Sequence, residues 1–356
     1  MLIKMQVGEQ DRGELQVNVT DSDNAPIRDA RVTISEPETA INPNSPIERL
    51  ETDVSGQTQI VDLNTPPLEY SLNENNENMP YANYNIQIEV PGYETENIRN
   101  VEILPDSLSL QNVRMRKREG EQVENIDIDP HTLYAEYPEK IPEDEIKDVN
   151  EPGEIVLSRV VIPEYVVVHN GTPSSNARDY YVTYKDYIKN VASSEIYATW
   201  PRATIAANVL AIMSFTLNRV YTEWYRNKGY DFTITSSTAY DQKWIYGRNI
   251  FQSIDEVVDE IFDQYLSRPD VRQPILTQYC DGKRVTCPNW LSQWGSCNLG
   301  EQGFGTLEII RNYYGDDMYI NTAEQISGIP ASWPGYDLTI GASGQKVMQM
   351  QEQLDT

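Results

Sequence analysis

Apolar and polar positions alternate through much of the first 115 residues. Leu15, Val17 and Val19 take every second place in GELQVNVTD, as do Val32 and Ile34 in ARVTISEP. Ile86, Ile88 and Val90 repeat the pattern in YNIQIEVPGY. A period of two predicts strands with one buried face. Pro91-Gly92 then reads as a turn, and Gly56 in TDVSGQTQIVDL separates two further short strands. The polar stretches SEPETAINPNSP and NENNENMPYAN read as loops. Residues 1–116 are therefore expected to form an all-β sandwich with no catalytic constellation of its own.

The period changes further along. Tyr187, Ile188, Val191 and Ala192 share one helical face, and a second helix is expected after Trp200-Pro201. There Ile205, Val209, Ile212 and Met213 recur toward Leu217, Val220 and Trp224, with Gly229 as the stop. SIDEVVDEIFDQYLSR opens on a capping box, Ser253 and Glu256, and sets Val257, Ile261, Tyr265 and Leu266 on one stripe. With strands in VVIPEYVVVH and FTITS, residues 159–335 predict an α+β domain. Between the two, residues 117–158 are acidic and punctuated by Pro130, Pro138, Pro142 and Pro152, and read as a solvated linker.

Charge narrows the partners. A formal net charge of −27 argues against a nucleic-acid partner, because phosphate recognition needs basic patches. The opening MLIKMQVGEQDRGE lacks the apolar core of a secretory signal. The most apolar stretch, 203–217, is short for a membrane span and reads as a core helix. No cofactor is expected. Three cysteines, Cys280, Cys287 and Cys297, fall in the last third. A Cys280–Cys287 disulfide, buried thiols and a metal site all stay open at this point. Zinc would have only His131 and His169 as histidine ligands, both far upstream.

Three blocks carry a resemblance. A serine-rich turn, Glu195, Trp200-Pro201 and an alanine-rich helix come first; STAYDQKWIYG (237–247) follows; SQWGSCNLGEQGFGTLEIIRNYYGDDMYI (292–320) comes last. In this order they resemble the SpoIID family of peptidoglycan lytic transglycosylases, over about half the chain. The layout as a whole is most similar to SleC-type spore cortex-lytic enzymes of clostridia, made as zymogens. Asp21 to Ile34, Thr52 to Gly56 and Val90 to Tyr93 resemble the transthyretin-like, carboxypeptidase-regulatory sandwich. Residues 336–356, with Leu338, Gly341, Gly344, Val347, Gln351 and Leu354, resemble the start of a small helical peptidoglycan-binding repeat.

The resemblance implies a general acid/base at Glu195, with substrate contacts from Ser292, Gln293, Trp294, Tyr246, Asp241 and Gln242. Some members of that family hold zinc with a His and two Cys; the expected His is absent here, so no metal is expected. It implies spore cortex peptidoglycan as partner, a location in the spore, and activation by a germination protease cutting between about Leu157 and Ile162. One departure stands out. Where the family usually carries Lys and Arg on the helix after Trp-Pro, this chain has Ala206 and Met213, which suits either a less anionic glycan such as cortex or a degenerate, inactive copy. The alternatives are an N-acetylmuramoyl-L-alanine amidase, a glycan hydrolase on the same polymer, or a non-catalytic wall-binding, amidase-enhancing protein.

Overall fold

The computed structural model describes residues 11–37, 46–118, 123–147, 157 and 159–325. The expected C-terminal repeat, 336–356, lies outside them, as does most of the segment leading to the expected cut. Eight strands come first: β1 Asp11–Thr20, β2 Arg31–Ser35, β3 Pro46–Glu51, β4 Val61–Thr65, β5 Ala82–Glu89, β6 Thr95–Ile103, β7 Leu108–Arg114 and β8 Val123–Asp127. A short helix, α1 Glu69–Leu72, lies between β4 and β5. Next come β9 Val161–Ile162, β10 Tyr165–His169, β11 Asp179–Thr183, α2 Tyr184–Glu195, α3 Arg202–Tyr221, β12 Ile234–Thr235, β13 Ile250–Phe251 and α4 Gln252–Ile261. The described part closes with β14 Gln264–Ser267, β15 Tyr279–Cys280, β16 Leu291–Ser292, α5 Gln293–Glu301, α6 Thr306–Tyr314, β17 Tyr319–Thr322 and β18 Glu324–Gln325. A β-sandwich-rich N-terminal region is thus followed by α+β structure.

The chain divides into two compact units, and neither is continuous in sequence. The first gathers residues 1–136 with 193–201 and 245–256; the second takes the rest. In the first, one sheet has the order β13-β7-β1-β4 and the other β3-β2-β5-β6-β8. The alternating apolar residues meet between them: Leu15, Val17, Val19, Val32, Ile34 and Ile88 are all wholly buried. Gly56 holds a φ of +75°, and a side chain there would run into the Val19 carbonyl, so the turn requires glycine.

The sandwich also recruits residues expected elsewhere. Val123–Asp127, expected within a linker, is β8 and pairs parallel with β6 in register Asn97↔Asn125. Ile250–Phe251 joins the opposite sheet, antiparallel to β7. Ile245 adds to the sandwich core.

The second unit is built around α3, whose buried residues lie all round it rather than on one stripe. By length and composition this helix could cross a membrane, and 83% of its most apolar window is buried. It ends at Tyr221, and Glu223 takes a φ of +46°; a 3-10 turn, Arg226–Lys228, follows and stops at Gly229, which is left-handed at φ +82°. β10 pairs antiparallel with β11 and parallel with β12. The expected long α4 stripe stops at Ile261. Tyr265 and Leu266 sit instead in β14, paired with β17, where the ladder bonds outweigh helical periodicity. Ser253 lies inside α4 and donates to the Ala198 carbonyl (3.0 Å) rather than capping the helix.

The described part of the acidic stretch is not a solvated linker either. Residues 137–147 belong to the second unit, and Lys140 and Lys147 are buried there. Lys140 donates to the Asp241 carbonyl, Gln273 bonds the Lys147 backbone in both directions, and Gln278 bonds Glu143 N and Ile141 O. A strap so bonded is structured despite its polar composition, since its backbone groups find protein partners in place of water.

Candidate functional site

Glu195 is the last residue of α2 and is wholly buried, in the first unit. The segment around it is fastened at both ends. Arg248 donates to the Ser193 carbonyl at 2.8 Å, Thr132 N to Ser194 O at 3.0 Å, and His131 Nε2 lies 3.3 Å from Ile196 O. The His131 ring stacks on Tyr197 at 4.5 Å between centroids. The Trp200 indole donates to Ser71 O (2.9 Å), and Thr199 bonds the Ser71 hydroxyl (2.8 Å). The same Arg248 donates to Glu102 across 2.8 Å, with both side chains buried. Burial pushes the Glu102 carboxyl up to about 7, against the pull of the guanidinium. Nothing in local sequence marks Glu102 or Arg248, which are 146 residues apart.

The 292–294 block lies in the second unit and is organised from the sequence up. Cys280 and Cys287 are joined as a disulfide with Cα atoms 5.7 Å apart, and Cys297, buried, stands outside that disulfide. Inside the disulfide loop the buried Asp281 carboxylate accepts from the backbone N–H groups of Lys283, Arg284 and Val285 and from Arg284 Nε. β15 then pairs with β16, setting Cys280 against Ser292. Gly282, at φ +79°, lies so close to Ser292 that any side chain would collide with its hydroxyl. Ser292 caps α5, accepting from Gly295 N at 3.0 Å, and is half-buried.

Gln293 follows at the first position of α5. Its side chain is wholly buried, and neither its amide oxygen nor its amide nitrogen has a hydrogen-bond partner among the described residues. Leaving a buried polar group unpaired costs about 1–3 kcal/mol. Such a group is therefore a place to look for a ligand, because native interiors rarely tolerate one. Trp294 is buried beside it, with its backbone N–H on the Asp281 carbonyl (3.2 Å).

Asp241 and Gln242, expected to contact substrate, are interior fasteners. Asp241 accepts from Arg219 Nε (2.7 Å), the Tyr225 hydroxyl (2.6 Å), and Thr235 N and Oγ1 (2.9 and 2.7 Å). Gln242 Oε1 accepts from Tyr187 and Thr216, and its nitrogen donates to Ile212 O. Both are wholly buried with these atoms engaged, so neither is presented to a glycan. Tyr246 is exposed, and its hydroxyl lies 3.4 Å from Glu124 of β8 in the first unit. Arg219, which sequence reasoning missed, also donates to Glu143 of the strap at 2.6 Å. Burial alone would lower its pKa, yet Asp241 and Glu143 raise it, so the guanidinium stays charged.

No protein-family model matches the chain, and neither does any curated protein. Among solved structures, the minor pilin GBS52 of Streptococcus agalactiae is similar at 17% identity and TM-score 0.22, over 32% of this chain and 48% of that one. A streptococcal ancillary pilin is similar at 13% identity and TM-score 0.21, over 30% and 32%. Wild-type catechol 1,2-dioxygenase of Acinetobacter radioresistens is similar at 14% identity and TM-score 0.22, over 33% and 58%. The chain spans about half the length of the minor pilin and less than two thirds of the other two. Likenesses of this size carry no argument about function.

Proposed function

We propose that the chain is the resting form of a peptidoglycan lytic transglycosylase, acting on spore cortex after proteolysis. The observation that carries this reading is Gln293. Its buried amide offers one unused donor group and one unused acceptor, the complement of the N–H and C=O of a sugar acetamido group. It lies in the Ser292-Gln293 pair, which is also where the sequence resembles the SpoIID family. Ser292 and Trp294 complete the contact set; Asp241 and Gln242 leave it and serve the fold.

Glu195 is the acid/base in this proposal. It gives its proton to the glycosidic oxygen as the bond from muramic acid C1 to that oxygen breaks. The 6-hydroxyl of the same muramic residue then closes on C1, and Glu195 takes the hydroxyl proton. The product is a 1,6-anhydro end with no water added. One carboxylate suffices, where hydrolases commonly use two.

The burial of both Glu195 and Gln293 supports a precursor that has to open before it works. Segment 193–201, which carries the acid, is fastened to Ser71, His131, Thr132 and Arg248. Cutting near residues 157–162 is the proposed trigger. The test uses the full chain, intact and after limited proteolysis, as wild type and Glu195→Gln, on cortex and vegetative peptidoglycan. The expected result is anhydromuramic ends from the cut wild type alone. Reducing ends would mean hydrolysis, free stem peptides an amidase, and equal activity in Glu195→Gln a different acid.

A further inference from the structure

The outer face of the sheet β3-β2-β5-β6-β8 carries a feature that glycan cleavage does not use. In register, Arg49 lies opposite Thr33, Thr33 opposite Gln87, Gln87 opposite Asn97 and Asn97 opposite Asn125. The result is one polar row across all five strands. Its amides are relayed: Gln87 Nε2 donates to Asn97 Oδ1 (3.0 Å), and Asn97 Nδ2 to Asn125 Oδ1 (3.1 Å). Four of its five members, Arg49, Thr33, Gln87 and Asn97, line a groove of about 1030 Å³ together with Arg31 and Arg99.

We propose that this groove is a binding site for an extended, uncharged, β-1,4-linked glycan of N-acetyl sugars. Three properties of the face point to that ligand. The first is spacing. Neighbouring strands lie ~4.8 Å apart, so the row spans about 19 Å and repeats at nearly the length of one pyranose in an extended chain. The second is chemistry: amide and hydroxyl side chains present donors and acceptors side by side, as hydroxyl and acetamido groups require.

The third is charge. Arg31 is paired with Glu89 and Arg99 with Asp127, so the face is close to neutral on a chain of net charge −27. A polyanion would find two of its three arginines already engaged, and a polycation would meet arginine at both rims. The groove lining contains no aromatic side chain. Binding then rests on hydrogen bonds alone and is weak per site, which suits a module that holds an enzyme on a polymer through repeated contacts.

This inference rests on the cell-wall reading for its polymer, but it fails separately. The probe is chitohexaose, titrated calorimetrically into the full chain carrying Glu195→Gln. Sub-millimolar to millimolar binding is expected, weakened at least tenfold by Gln87→Ala with Asn97→Ala and, independently, by Thr33→Lys. Both variants change solvent-facing positions, and an unchanged melting temperature shows that the fold is kept. Three results would overturn the proposal: no chitohexaose binding, binding that the groove variants leave unchanged, or binding of polyglutamate in its place. A Glu195→Gln chain with full cleavage activity would sink the catalytic reading and leave this binding result standing.

Discussion

Arg219 Nε donates to Asp241 Oδ1 across 2.7 Å, and neither side chain reaches solvent. The pair ties α3 to the segment before Trp244, and Glu143 brings the strap into the same network. Removing one partner of such a pair leaves a buried charge uncompensated and costs about 3–5 kcal/mol. Asp241→Ala is therefore expected to lower stability by that order in denaturant titration. A variant of normal stability that has lost glycan affinity would return Asp241 to the substrate site.

Gln293 predicts the opposite trade. Gln293→Leu removes an unpaired buried amide at nearly constant volume, so melting temperature is expected to hold or rise while glycan cleavage falls. A clear loss of stability would mean that the amide has partners in solution and is a structural group.

The first unit should respond to pH through its buried acids. Burial raises the carboxyls of Glu96 and Glu102 from an ordinary 4.5 to about 7, with Arg116 and Arg248 opposing. Between those values the folded chain holds protons that the unfolded chain has released. The stability from these groups is thus full below about 4.5 and is lost as pH rises through about 7. Melting curves from pH 5 to 8 should shift downward with rising pH, and Glu102→Gln should flatten part of that slope. An unchanged slope in the variant would contradict the assignment.

A cut between residues 147 and 160 does not by itself divide the chain. The first unit keeps 193–201 and 245–256 from beyond the cut, with β13 on β7 and Arg248 on Glu102. The second keeps 137–147 from before it, with Glu143 on Arg219 and Glu145 on Arg268. After cleavage at a protease site engineered into 148–156, both fragments are expected to co-elute in size-exclusion chromatography. Spontaneous separation in buffer would contradict this.

How far the sequence foretold these features depends on whether the cause is local. The alternation through Leu15, Val17 and Val19 shows directly which face is buried, because strand periodicity and burial are the same fact read twice. The α2 face of Tyr187, Ile188, Val191 and Ala192 was legible for the same reason, and all four are wholly buried. β13 was not, since two residues pairing with a strand some 140 positions earlier leave no periodic trace. Nor was the strap, whose acidic composition imitates a solvated linker while Glu143 and Lys147 are drawn inward by Arg219 and Trp224. Asp241 and Gln242 were legible as special residues, but the motif could not distinguish a substrate contact from an interior fastener.

The most direct measurement is mass spectrometry of fragments released from purified cortex by the proteolysed chain, wild type beside Glu195→Gln. The account predicts 1,6-anhydromuramic ends from the wild type and none from the variant. Reducing ends, or anhydro ends undiminished in Glu195→Gln, would contradict it.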